Sequence, residues 1–162
     1  MRAEGAFLAE QLVRQIHLVR RELRDLPDGD LNRVLDIQPT NTLFQLGTHI
    51  AGSARYWAIT NTGGANFHRD RDSEFNAIGT NAELLENLDA LINQITDHVT
   101  CLTAEQLEQS CSLPTASFSF WESADPLPQR HALLHALEHT GLHLGHIQIT
   151  RQILGYDPVK EE

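Results

Sequence analysis

Between His131 and Leu154 the chain reads HALLHALEHTGLHLGHIQITRQIL, a stretch that holds five of its nine histidines. His131, His135, His139 and His143 recur every fourth residue, and His146 follows three later. At about 100° per residue they share one arc of a helix: with His139 at zero, His143 lies near +40°, His146 near −20°, His135 near −40° and His131 near −80°. Leu142, Ile149 and Ile153 fall on the same side, near −60°, −80° and −40°, whereas Arg151, Gln148 and Arg130 fall opposite, between about 120° and 180°. This pattern puts the imidazoles on a core-facing stripe. Buried imidazoles are costly unless each finds a partner. A metal ion is such a partner, because it bonds the ring nitrogen that lacks a donor. Two histidines at i and i+4 project together and can chelate one ion. A zinc-type site needs a third protein ligand, and an open catalytic site stops there.

The best outside candidate is His49, in TLFQLGTHIAGSARYW. It borders the stripe of Leu46, Ile50 and Ser53 near the middle of its own helix. Mid-helix residues of similar-length helices meet at the same height in a bundle, which selects His139 and His143 over His131 and His135. The latter two are structural or line the approach. His146 is either a hydrogen-bond partner of a ligand or a base in the pocket. His17, His68 and His98 show no such pattern and read as surface residues. Tyr56, Trp57 and Trp121 could wall a pocket, although core or lid packing is the simpler role. Arg69 and Arg71 could hold a substrate carboxylate, although a solvated loop paired with Asp70 and Asp72 is simpler. Glu138, near −100°, sits at the edge of the face and is a poor base.

Four long helical patterns must position these residues. The first runs from about Ala3 to Leu26, with Phe7, Leu8, Leu12, Ile16, Val19 and Leu23 at spacings of three and four, and ends at Pro27-Asp28-Gly29. Leu31 to Ile37 reads as a loop or short turn. The second starts near Thr40, with a capping box at Thr42–Gln45, and stops at Asn61-Thr62-Gly63-Gly64. Ala65 to Gly79 is polar and irregular. The third starts at a second capping box, Thr80–Glu83, and carries Leu84, Leu88, Leu91, Ile92, Ile95 and Val99. Thr103 to Gln109 adds a helical turn. Ser110 to Asp125 is irregular, with a strand-like alternation at Phe118, Phe120 and Trp121. The last helix opens after Asp125-Pro126 and ends at Gly155. The expected fold is all-α: one domain over residues 1–162, an antiparallel four-helix bundle with a long irregular connection before the last helix.

Composition narrows the partners. The formal net charge of −10 argues against nucleic acid, which needs a dense basic patch, and against an anionic membrane surface. No apolar run approaches the roughly 20 residues of a spanning helix. The charged N-terminal stretch lacks the apolar segment of a signal peptide, so the cytoplasm is the expected location. The two cysteines, Cys101 and Cys111, form no C-x-x-C and read as small hydrophobes.

The chain resembles the DinB/YfiT-like superfamily of metal-binding four-helix-bundle proteins over nearly its whole length. Two motifs carry the resemblance: His49-Ile-Ala-Gly-Ser-Ala-Arg-Tyr-Trp57, and Glu138-His139-Thr-Gly-Leu-His143-Leu-Gly-His146 with Arg151 and Gly155 beyond. The segment Asp70-Arg-Asp-Ser-Glu-Phe75 is similar to the loop that follows the second helix in the family. The resemblance implies one divalent ion, zinc or nickel, held by His49, His139 and His143 with an open position. It also implies a homodimer and kinship with transferases that use low-molecular-weight thiols. Three neutral ligands would leave the ion its full charge, so a thiol would ionise there and attack a small electrophile, with His146 taking the proton. Hydrolysis by metal-activated water is the alternative. It lacks the glutamate of an H-E-x-x-H motif. A non-enzymatic stress or binding module with a structural metal is the third reading.

Overall fold

The computed structural model describes residues 3–37, 40–111, 127–157 and 159. Trp121 and most of the irregular stretch before the last helix lie outside the described residues. The helices are α1 (Glu4–Leu23), α2 (Asp28–Leu31), α3 (Leu43–Ala58), α4 (Arg71–Glu74), α5 (Asn81–Val99), α6 (Ala104–Leu107) and α7 (Gln129–Ile153), with a 3₁₀ turn at Thr60–Thr62. Among the described residues the only extended pairing is an isolated bridge between Ser110 and Pro128.

The helix starts follow from local chemistry. Thr42 Oγ1 accepts from Gln45 N at 3.2 Å, and Thr42 N donates to Gln45 Oε1 at 2.9 Å. Thr80 and Glu83 form the same reciprocal box, and Thr103 with Gln106 forms a third. Each satisfies two backbone donors that a helix start leaves open. The chain leaves the 3₁₀ turn through Gly63, whose φ of 83° suits a residue without Cβ. The segment expected to be irregular before α5 contains the short helix α4, capped by Asp70, whose side chain accepts from Ser73 N.

α1 and α3 each pack against both α5 and α7. The ends in contact give the directions. Glu4 meets Arg130, and Glu22 meets Gln148 and Arg151, so α1 and α7 run the same way. Arg55 reaches Gln94 and the Asn87 carbonyl, and a Cβ on Gly47 would meet Leu84, so α3 and α5 also run together. His49 meets His139, while Trp57 meets His135, so α3 and α7 are antiparallel. Asn81 caps the Leu23 and Leu26 carbonyls, so α1 and α5 are antiparallel too. The core between them is built from Leu12, Ile16 and Leu23 of α1, Ile50 and Trp57 of α3, and Leu84, Leu88, Leu91 and Ile95 of α5. Each such burial contributes roughly 2 kcal/mol, well above the ~0–1 kcal/mol of a surface pair such as Arg20–Asp89.

The phase of α7 differs from the sequence expectation. Its buried residues are Ala132, Ala136, Thr140, Leu144, Ile147 and Arg151, together with Gln129, Leu133 and Thr150. On the scale above, these centre near +80° rather than near −40°. Leu142, Ile149 and Ile153, taken for core, are 58%, 58% and 51% exposed. Arg151, taken for the solvated face, is buried: its Nη1 donates to the Glu22 carbonyl at 2.5 Å, and its Nε lies 3.6 Å from Glu22 Oε2. The histidines therefore flank the core instead of filling it, with His139 and His143 nearest and His131 and His146 exposed. Small residues at Ala132, Ala136 and Thr140 let α7 approach its neighbours, and a count of large apolar residues overlooks them.

Candidate metal centre

His49 projects from the buried face of α3 and is 3% exposed. Its Nε2 lies 3.2 Å from His139 Nε2. The His143 ring closes the group, 4.8 Å from His49 and 4.4 Å from His139 between centroids. One ring nitrogen from each of the three falls within 4.8 Å of the others, so the group could hold a metal ion. The 3.2 Å separation is close to the roughly 3.3 Å edge of a tetrahedron with Zn–N bonds of about 2.05 Å. The residues present therefore fit one divalent ion.

The outer nitrogens are held as well. His49 Nδ1 is 2.8 Å from Glu74 Oε2. An ionised carboxylate only accepts, so His49 carries a proton on Nδ1, and Nε2 is the nitrogen turned to His139. Glu74 is 5% exposed and is gripped from behind by Arg69, whose Nε and Nη2 donate to its two oxygens at 2.8 and 2.9 Å. Burial alone would raise the Glu74 carboxyl. The hydrogen bonds from His49 and Arg69 and the Arg69 charge outweigh it and hold the group below its ordinary value. Glu74 reaches His49 because Gly52, one turn further along α3, has no side chain: a Cβ there would stand 2.1 Å from Glu74 Oε1. Phe75 covers the His49 ring at 4.5 Å. His143 Nδ1 lies 3.2 Å from His146 Nδ1, which leaves His143 Nε2 for an ion.

Burial disfavours the charged form of two of the ligand rings, His139 and His143. His139 is pushed down to about 3, first by burial and then by the neighbouring His143, His49, His135 and Arg69. His143 is pushed down to about 4 by burial, His49 and His146. His135 is lowered, again mainly by burial. Neutral imidazoles keep the lone pairs that coordination needs.

Trp57 is buried and stacks edge-on against His135 at 4.6 Å, so it supports the α3–α7 seam. Tyr56 is half-buried, with the Arg69 guanidinium 5.9 Å from its ring centroid. Arg71 is exposed and lies over Phe75 at 5.3 Å. Arg69 is committed to Glu74 rather than to a solvated loop. His17 and His68 are exposed, but His98 is half-buried and pairs with Thr62 Oγ1 at 2.8 Å. Burial raises the Cys111 thiol, the opposite of activation.

A model of the DinB superfamily matches residues 9–147. The chain belongs to the DinB superfamily. Solved structures share its fold. A DinB-like protein from Bacillus cereus superposes with a TM-score of 0.70 at 14% identity, over 91% of each chain. A conserved protein from Enterococcus faecalis gives 0.68 at 13% identity, over 96% of this chain and 99% of that one. None of the curated proteins matches the chain. Among the described residues of this DinB-superfamily protein, no helix is long and apolar enough to cross a membrane.

The Glu74–Arg69 pair and the Gly52 cradle were missing from the sequence expectation. One signal was available, a glycine inside a helix three residues after a candidate ligand, since such a glycine costs helix stability; Gly141 and Gly145 of α7 are also helical glycines near candidate ligands, with open space around them.

Proposed function

We propose that this DinB-superfamily protein is a metal-dependent transferase that uses a low-molecular-weight thiol, with His49, His139 and His143 as the ligands. The observation that supports it most is the convergence of three imidazoles, with no fourth residue in the group among the described residues. A zinc or nickel ion held there would supply an electrophilic centre that lowers the pKa of a thiol. The chain's own groups do the rest. Glu74 fixes the tautomer and orientation of His49, and Arg69 fixes Glu74. Phe75 shields one face of His49 from water. With His143 Nε2 kept for the ion, His143 Nδ1–H donates to His146 Nδ1, so His146 points Nε2–H outward. His146 then acts as a donor to the electrophile or its leaving group. Taking the thiol proton would first require the His143–His146 bond to break. Arg71, exposed over Phe75, would meet a carboxylate of the thiol, and Tyr56 would border the substrate. The proposal includes a small-molecule second substrate, a homodimer and a cytoplasmic setting.

The test is thiol consumption by zinc- or nickel-loaded protein. Glutathione, cysteine and coenzyme A would each be offered with 1-chloro-2,4-dinitrobenzene and with ester substrates. At least one thiol should react tenfold faster than with His49→Ala protein. Rates equal to those without protein for every thiol would reject the transferase, and ester hydrolysis in their place would select the water-using alternative.

A further inference from the structure

One turn before His49 on α3 and one turn after His143 on α7, residues of both helices line a cavity of about 290 Å³. Its walls are Leu46 of α3, Ile149 and Ile153 of α7, and Leu35 and Ile37 from the segment after α2. His146 forms the end nearest the histidine cluster, and the same ring touches His143 Nδ1 at 3.2 Å. The remaining lining is Thr40, Asn41 and Thr150. Among the described residues that line it there is no Asp, Glu, Lys or Arg; Arg33 and Asp36 line a separate pocket that also borders Leu35 and Ile37.

Each property bears on the occupant. The volume stands at the lower end of small-ligand pockets, about 300–1,000 Å³, which suits one small molecule and not a peptide. A charged group seated against these walls would lose part of its water and meet no countercharge among the lining residues, which disfavours it. Ile37, Ile149 and Ile153 are 61%, 58% and 51% exposed, so an apolar occupant would remove large hydrophobic side chains from water. A hydroxyl, carbonyl or amide at the inner end would meet the His146 ring.

We infer that this cavity receives the uncharged, apolar part of the second substrate, whose polar reactive end points to His146. The substrate class is then a small neutral electrophile, distinct from the charged thiol. Its catalytic meaning rests on the transferase reading, but the cavity's ligand preference does not.

The experiment uses the full chain, zinc-loaded and zinc-free, and two probes of one shape: 4-phenylbutan-1-ol and the anion 4-phenylbutyrate. Binding is read by calorimetry and by isoleucine methyl shifts, with zinc per chain measured on the same samples. The neutral probe should bind saturably to both forms and at least tenfold more tightly than the anion. Ile149→Glu and Ile153→Glu, both at exposed positions, should each weaken it at least tenfold while zinc content stays at the wild-type level. Absence of saturable binding, equal binding of the anion, or binding indifferent to both substitutions would overturn the inference. So would exclusion of the probe from a dimer that either substitution converts to monomer, since a second copy would then occupy this face. Probe binding in a chain that takes up no zinc would uphold the cavity and reject the three-histidine reading.

Discussion

Replacing Gly52 with alanine should weaken metal binding although residue 52 is no ligand. By helix propensity alone, glycine to alanine inside α3 would stabilise the protein by about 0.8–1 kcal/mol. The structure reverses that sign. The new Cβ would stand 2.1 Å from Glu74 Oε1 and 2.9 Å from its Cδ. Glu74 cannot swing aside cheaply, because Arg69 holds both of its oxygens and His49 holds one. Displacing it breaks up a buried charge pair, which costs about 3–5 kcal/mol when one partner is lost outright, and releases His49 Nδ1. Loss of such an outer partner typically lowers metal affinity 10–100-fold. Gly52→Ala should therefore resemble Glu74→Ala: zinc affinity down by at least tenfold in competition with a chromogenic chelator, and a lower urea midpoint for the metal-free chain. Glu74→Gln, which keeps an acceptor for His49 but loses the negative charge that pairs with Arg69, should fall between them and wild type. Wild-type zinc affinity in both Gly52→Ala and Glu74→Ala would refute the reasoning.

Two further outcomes follow from the same contacts. The metal-free chain should lose stability as pH falls from about 6.5 towards 4, because His139 and His143 are depressed to about 3 and about 4 when folded and the unfolded chain takes up protons first. The slope should reach about 1.4 kcal/mol per pH unit per histidine in denaturant titrations, and His139→Phe should flatten it; a flat profile in the wild type would contradict the neutral-imidazole account. Arg151→Met should destabilise the fold by about 3–5 kcal/mol by stranding Glu22, yet leave zinc per chain unchanged, since the pair lies on the α1 side of α7.

The ends of the helices were legible because they are set locally. Thr42–Gln45 and Thr80–Glu83 are complete chemical statements within four residues, and both boxes form as written. The i, i+4 spacing of His139 and His143 is equally local, and mid-helix matching with His49 needed only helix lengths. The rotation of α7 was not legible. Large apolar residues stand on both faces, Leu142, Ile149 and Ile153 on the exposed one and Leu133, Leu144 and Ile147 on the packed one. Hydrophobicity therefore did not choose between them, and the stripe of histidines expected to face the core was set about 120° from it. Arg151 compounded the error, because its partner Glu22 lies on a helix far away in sequence. Glu74 was hidden for a related reason: it sits in a polar stretch, and only the fold places that stretch against Gly52.

The measurement closest to the central claim is metal per chain in untagged protein by elemental analysis, after reloading with zinc or nickel, for wild type, His49→Ala, His143→Ala and His17→Ala. One ion held by His49, His139 and His143 predicts about one equivalent in wild type and His17→Ala and almost none in the other two. Little metal in the wild type, or a full equivalent retained without His49, would contradict it.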